Sequence, residues 1–369
     1  MAPSWESTIP LARPALGDDE SRAADRVLRS GRLVLGPENV RFEEQLATLT
    51  GRAHAVCVTS GTTALELVLW ALDLGPKRGR PTPELLVPAA GFPAAANAAL
   101  RMGAVPIPVD IDPHAWTMDT AAAAAAIGPA TVALVSVDTF GLVAEAEPLR
   151  QLVADAGIAL IDDAACSLGG RDSAGVPGGG YGVAGSLSFH PRKVITTGEG
   201  GAVVCDDSEL AETLRQLRNQ GQSFGPDGRR FARVGSNARL GEMAAAIGCV
   251  QLGRLDALLR ERALLVAGYR ERLGEQRAAG ALTWQDGGET ARSAHQTFAV
   301  QLAPDRDRDA VQRRLAEAGI ESGPAVFALH WLDSFGQLPG MSDRRLPVAE
   351  ALHRRGLALP LFPGMRSAE

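Results

Sequence analysis

Residues 131–163 read TVALVSVDTFGLVAEAEPLRQLVADAGIALIDD. Two short runs in it, 132–137 and 158–161, are almost wholly apolar, and a helix-like stretch at 148–156 separates them. Strands without polar alternation are expected where both faces of a sheet are covered. A helix between two such strands is the crossover that parallel pairing needs. Toward the N-terminus the rhythm repeats, with strands at 55–59, 85–88 and Val105–Val109 and helices at 62–74 and 93–102. The alanine run 121–126 reads as a further helix, because alanine is the best helix former. Helices at Asp18–Ser30, which Asp18 can cap and Gly31 can stop, and at 37–49 come before them. The pattern predicts an α/β fold, a mostly parallel sheet flanked by helices.

After Gly170 the rhythm changes. Glycines cluster at 169–185, two strands follow at 186–189 and Gly201–Cys205, and Leu210, Leu214 and Leu217 mark one helix face. A polar loop is expected at 221–231 and helices from 239 to 277. From residue 293 a strand at 297–302 and helices at 308–318 and 346–355 suggest a smaller α+β unit. The expected division is a large domain over 18–255 and a small C-terminal domain over 256–369, with the segment 1–17 packing on the latter.

The 369 residues are 46% hydrophobic and 22% charged, which supplies a large core and excludes general disorder. The net charge is −6 and no basic block occurs, so neither nucleic acid nor a membrane surface is an expected partner. No apolar run approaches the roughly 18 residues of a membrane span. The opening MAPSWESTIPLARP lacks the pattern of a secretory signal, and a cytoplasmic protein is expected. Cys57, Cys166, Cys205 and Cys249 form no C-x-x-C pair, and the six histidines lack ligand spacing, so no metal site is expected.

Three segments carry chemistry. In AVCVTSGTTAL, 55–65, a strand turns into a helix at Ser60, Gly61 and Thr62, where free backbone N–H groups can cradle a phosphate. The same turn also fits a plain capped helix. In IALIDDAACSLGG, 158–170, Asp162 and Asp163 close a buried strand, at the sheet end where ligands of parallel sheets bind. A capping aspartate beside a solvated one would look alike. In SLSFHPRKVITTGEGGAVV, 186–204, Lys193 stands among small, hydroxyl-bearing and glycine residues. Only two of the 37 basic residues are lysines, Lys77 and Lys193, and Lys77 lies in the loop GPKRGRPTPE. A lysine retained amid arginines points to a primary amine, which forms a Schiff base as a guanidinium does not. A G-x-G-x-x-G match at Gly180, Gly182 and Gly185 precedes a strand and opens no helix, so it reads as a flexible loop and not a dinucleotide site. An anion cradle, an aspartate and a lysine, in that order, are the parts that pyridoxal phosphate requires.

At this point the chain resembles the DegT/StrS-type sugar aminotransferases, of the aspartate-aminotransferase fold group. The resemblance runs from IPLARPALG at residue 9 to LALPLFPGM at 365. It takes in SGRLVLGP, TSGTTAL, PVDIDP, IDDAACSLGG, SFHPRKVITTGEGG and SNARLGEMAAAIG in order and spacing. It implies that Lys193 forms the Schiff base and that Asp163 pairs with the pyridine nitrogen. It implies that Ser60, Gly61, Thr62 and Ser188 hold the phosphate, that Phe92 stacks on the ring and that Cys166 stands beside it. It gives Asn237 to the partner subunit's phosphate, Arg239 to an anionic group of the substrate, and His330 to the neighbourhood of the sugar. The implied activity is ping-pong transfer of an amino group from an amino acid, with glutamate as donor, to a nucleotide-linked keto sugar by a homodimer with shared sites.

Some positions depart from the family pattern. Cys166 replaces a stronger hydrogen bonder, Asp162 stands where Glu is usual, and many members continue further after the PLFPGM motif. A related subgroup that deoxygenates sugars has His at the lysine position, and Lys193 argues against that activity. A keto-inositol (aminocyclitol) aminotransferase and a non-enzymatic sensor or scaffold on the same fold remain alternatives.

Overall fold

The computed structural model describes residues 8–225, 228–338, 340–341 and 343–366. In chain order the strands are β1 (His54–Val58), β2 (Glu84–Pro88), β3 (Ala90–Gly91), β4 (Val105–Val109), β5 (Thr131–Val137), β6 (Ala159–Asp163), β7 (Ala184–Ser188) and β8 (Gly201–Cys205). They continue with β9 (Gln222–Gly225), β10 (Gly228–Phe231), β11 (Leu282–Trp284), β12 (Phe298–Leu302), β13 (Gly323–Pro324), β14 (Phe327–Ala328) and β15 (Gly356–Leu359). A seven-stranded sheet has the order β1-β8-β7-β6-β5-β2-β4. Every pairing in it is parallel except the two made by β8, which runs against both β1 and β7. A four-stranded sheet, β11-β12-β15-β13, is formed later in the chain.

Helices bury the large sheet on both faces. Gly61–Ala71, Ala94–Arg101 and Ser208–Arg218 cover one face with Leu65, Val68, Ala98, Leu214 and Leu217. Pro37–Thr50, Glu242–Gly253 and Leu255–Arg272 cover part of the other with Phe42, Leu46, Cys249, Leu255 and Leu259. Full burial on two sides explains why β5 and β6 read as continuous apolar runs. Helix starts are set by side-chain caps: Ser60, Asp119, Asp207 and Asp307 each accept backbone N–H groups of the first turn. The helix Pro37–Thr50 is capped from far away, by the Glu242 carboxylate.

Two expectations are overturned. The stretch 221–231 is a β-hairpin, with Gln222 opposite Phe231 and Gly225 opposite Gly228, and Pro226 and Asp227 lie outside the described residues. Gly221 and Gly228 supply left-handed φ values of 71° and 92° at its ends, while all four residues of β10 are exposed, so no apolar alternation announces the strands. The glycine-rich segment is packed tightly and is no flexible loop. A β-carbon on Gly182 would stand 2.4 Å from the Leu160 carbonyl oxygen, and one on Gly185 2.7 Å from Gly179 Cα. Tyr181, just before Gly182, is fully buried.

The first described residues lie against the last part of the chain. Ile9 bridges to Ile320, Leu11 N–H donates to Glu321 Oε2 at 2.9 Å, and the Arg13 guanidinium covers the Phe362 ring at 5.2 Å. No helix among the described residues is long and apolar enough to cross a membrane.

Candidate active site

Strands β1, β2, β5, β6 and β7 all end at one edge of the large sheet, and the segments leaving that edge carry the candidate residues. After β1, Ser60 Oγ accepts the Thr63 N–H at 3.1 Å and lies 2.9 Å from Thr63 Oγ1, which starts the helix Gly61–Ala71. Gly61 is pressed against β7. A β-carbon there would stand 2.9 Å from Ser188 Cβ and 3.3 Å from the Leu187 carbonyl oxygen. The helix start, with its free N–H groups and positive dipole end, therefore sits directly beside the Ser188 hydroxyl.

At the end of β6, Asp163 is buried. Its Oδ1 accepts the Ser186 hydroxyl at 3.0 Å and the Ala165 N–H at 3.2 Å. Burial pushes its carboxyl above the ordinary aspartate value, against the pull of the Lys193 ammonium and these two hydrogen bonds. Lys193 Nζ lies 3.2 Å from Cys166 Sγ, and Lys193 N–H donates to the His190 carbonyl at 2.8 Å. The other lysine, Lys77, is half exposed and pairs with Asp73 at 3.0 Å. Cys57, Cys205 and Cys249 are buried, and Cys166 alone of the four thiols is partly open.

Phe92 follows β3 and is 77% exposed, a bare aromatic face at this same edge. Arg239 bridges to Val58, at the end of β1, and donates to Asn219 Oδ1 at 2.9 Å. Asn237 bridges to Asn219 and is exposed. His330 is placed differently. Leu329 N–H donates to the Ala89 carbonyl at 2.8 Å, which ties the segment to the Phe92 strand, but the His330 ring is fully buried, 3.5 Å from Glu350. The structure gives it no open face toward Lys193.

Asp162 is neither solvated nor a helix cap. It faces the opposite side of β6 from Asp163, fully buried, and accepts the Gly179 N–H at 2.7 Å. Sequence reasoning missed Asp138, Ser167 and Tyr181, which meet there: Asp138 accepts the Ser167 hydroxyl at 2.5 Å and the Tyr181 hydroxyl at 3.1 Å. The available signal was a carboxylate just after the apolar run of β5, the same pattern that marked Asp163.

This arrangement suits a phosphorylated aldehyde. Gly61 lets a helix start lie directly against Ser188, Lys193 supplies a primary amine, and Asp163 offers a buried carboxylate under the influence of that amine. Among the described residues no group of three His, Cys, Asp or Glu side chains is placed to hold a metal ion.

The profile of the DegT/DnrJ/EryC1/StrS aminotransferase family matches residues 14–369. GDP-perosamine synthase of Caulobacter vibrioides is 34% identical over 333 residues, 89% of this chain and 86% of its own. The solved structure of S. venezuelae DesV, in complex with a ketimine intermediate, has a TM-score of 0.87 at 33% identity and covers 97% of this chain and 94% of that one. The pyridoxal-phosphate form of the sugar aminotransferase Spr1654 from Streptococcus pneumoniae gives 0.89 at 26% identity, over 97% and 95%.

Proposed function

Since this chain belongs to the DegT/DnrJ/EryC1/StrS aminotransferase family, we propose that it transfers an amino group from glutamate to a nucleotide-linked keto sugar. The enzyme is a pyridoxal-phosphate-dependent aminotransferase of the α/β, mostly parallel-sheet class. The sugar assignment is supported by relatives named for sugar chemistry, GDP-perosamine synthase and the sugar aminotransferase Spr1654. The observation that carries the site assignment is Lys193 Nζ standing beside Cys166, with Asp163 the carboxylate that its charge reaches.

When bound, pyridoxal phosphate supplies an electron sink for the pair left when the donor loses its α-proton. The protein's own groups do the rest. The N–H groups of Gly61 and Thr62, with the hydroxyls of Ser60 and Ser188, bind the phosphate and fix the register of the ring. The Asp163 carboxylate holds a proton at the ring nitrogen, because an adjacent anion favours the charged form of a base. Lys193 Nζ, once free, takes the α-proton and returns it, a general base and then a general acid. Phe92 covers one face of the ring and shuts water from it. Cys166 is a weak hydrogen bonder, so it steers the lysine amine without binding it strongly. Arg239 offers a cation to an anionic group of either substrate.

The site is completed by a second copy of the chain, with Asn237 reaching the partner's phosphate. This reading is supported by exposed apolar side chains on the segments around Asn237. Leu33, Val34, Leu35 and Val40 lie near it, Val34 bridging to Gly241, and Phe231 and Val234 precede it. The working place of such an enzyme is the cytoplasm, where nucleotide sugars and amino acids meet. The test is product mass spectrometry with glutamate and a panel of nucleotide-linked keto sugars plus keto-inositols. Amination of a nucleotide sugar is expected. Amination of a keto-inositol alone would replace the sugar reading with the aminocyclitol one.

A further inference from the structure

Asp162 and Asp138 are both fully buried, yet their surroundings are opposite in kind. Asp138 accepts three hydrogen bonds: Ala144 N–H at 2.9 Å and the Tyr181 hydroxyl at 3.1 Å on Oδ1, and the Ser167 hydroxyl at 2.5 Å on Oδ2. Asp162 accepts one, from Gly179 N–H at 2.7 Å on Oδ2. Its Oδ1 is buried without a hydrogen-bond partner. Three donors suit a carboxylate anion. A single donor and an orphaned oxygen suit a protonated acid, since a buried ionised oxygen with no donor is strongly penalised.

The groups facing the pair are few. Asp163 lies next in sequence on β6, Tyr181 comes from the packed glycine-rich segment, and Arg52 comes from the turn before β1. Arg52 is committed elsewhere. Its guanidinium donates to the carbonyls of Gly179, Tyr181 and Gly182 and to Asp206. Burial pushes the Asp138 carboxyl up to about 7 and the Asp162 carboxyl well above its ordinary value, each raised further by a neighbouring aspartate.

We propose that Asp162 and Asp138 form a buried carboxyl pair that holds one proton, seated on Asp162, and that this pair positions Asp163. The inference rests on the reading of Asp163 as the acid that faces the cofactor. Asp138 N–H donates to the Asp163 carbonyl at 3.1 Å, and the Asp138 carboxylate ties Ser167, the residue after Cys166. Asp138 thus holds both ends of the turn that carries Asp163 and Cys166, and Asp162 ties the same strand end to Gly179. The proton on Asp162 removes a like charge from the residue next to Asp163, so Asp163 itself stays ionised.

Infrared spectroscopy of the holoenzyme reads the proton directly. At about pH 8.5, above the value of about 7 to which burial pushes Asp138, the wild type should show the carbonyl stretch of a protonated carboxylic acid, Asp162→Asn should lack it, and Asp163→Asn should keep it. The melting temperature gives an independent reading. An acid whose pKa is raised on folding costs stability as pH rises toward the folded value, and an amide does not. Asp162→Asn should therefore gain on the wild type as pH rises above the ordinary aspartate value of ~3.9. The absorbance of bound cofactor should show an alkaline step in the wild type that Asp162→Asn loses. No protonated-acid band in the wild type, or one that persists in Asp162→Asn, overturns the proposal. The wild-type measurement decides even if the variant fails to fold. Loss of the band in Asp162→Asn together with an unchanged cofactor profile refutes the positioning role. Failure of the wild type to take up pyridoxal phosphate would instead strike the proposed function.

Discussion

Lys193 Nζ lies 3.2 Å from the Cys166 thiol, so the amine of the lysine loop meets the turn that follows Asp163. Lys77 pairs with Asp73 on the surface and meets no such group. Lys193→Ala is expected to abolish turnover and the visible absorbance of bound cofactor, whereas Lys77→Ala should change neither. Borohydride should then fix the cofactor to the peptide that contains residue 193. Attachment at residue 77 would end the assignment.

Asp163→Asn keeps the Ser186 contact but removes the charge that holds the ring-nitrogen proton. Removal of the donor's α-proton should slow by ~10²-fold, about 3 kcal/mol. Asp162→Asn should have a far smaller effect on the same step. Single-turnover kinetics with deuterated donor compares the two, and the reverse ranking would place the acid on the wrong residue.

Gly61→Ala tests the cradle. The new methyl would stand 2.9 Å from Ser188 Cβ, and overpacking of this kind costs about 1–3 kcal/mol. Cofactor affinity should fall by ~10-fold or more, about 1.4 kcal/mol, as the helix start shifts away from Ser188. Unchanged affinity in a dialysis titration with pyridoxal phosphate would mean that the phosphate binds elsewhere.

The shared site is tested by mixing two inactive variants. Asn237→Asp sets a carboxylate against the partner's phosphate, and Lys193→Ala removes the amine. Random exchange makes about half the dimers mixed, and each mixed dimer holds one intact site, so about a quarter of all sites should recover. If no activity returns after exchange is verified by mass, Asn237 acts within its own chain or not at all.

Glu242 accepts the N–H groups of Gly36, Glu38 and Asn39 and the Asn39 side-chain amide. Burial pushes its carboxyl up, but these four donors outweigh it and hold the pKa below the ordinary value. Stability from a depressed pKa is present above the unfolded value and is lost as pH falls through the folded one. Glu242→Gln should cost about 1–3 kcal/mol at pH 7 in denaturant melts. The gap should close as pH drops below the ordinary glutamate value of ~4.3. A gap that is flat in pH would show that the charge is not what caps this helix.

The strands and helices around the site were legible because burial on two faces leaves a continuous apolar signature, as in β5 and β6. The direction of β8 was not, since an apolar five-residue run is the same whether it is parallel or antiparallel to its neighbours. The hairpin β9–β10 was hidden because it has no apolar alternation and all of β10 is exposed, so glycine conformation and not hydrophobic patterning shapes it. The Lys193 segment stood out through composition, a lone amine amid arginines. Asp138 did not, because its importance lies in which distant hydroxyls reach it, and the spacing of residues 138, 167 and 181 carries no period.

The seating of residues 9–13 against residues 319–321 and 361–362 bears on the order in which the chain is made. Residues 9–13 are made well before these partners, so they must stay undocked while more than 300 residues are synthesised between them. Contacts of such sequence separation form late and slowly. The arm should therefore be the last element protected in a pulse-labelled refolding experiment, after the sheet that carries Lys193 has already closed.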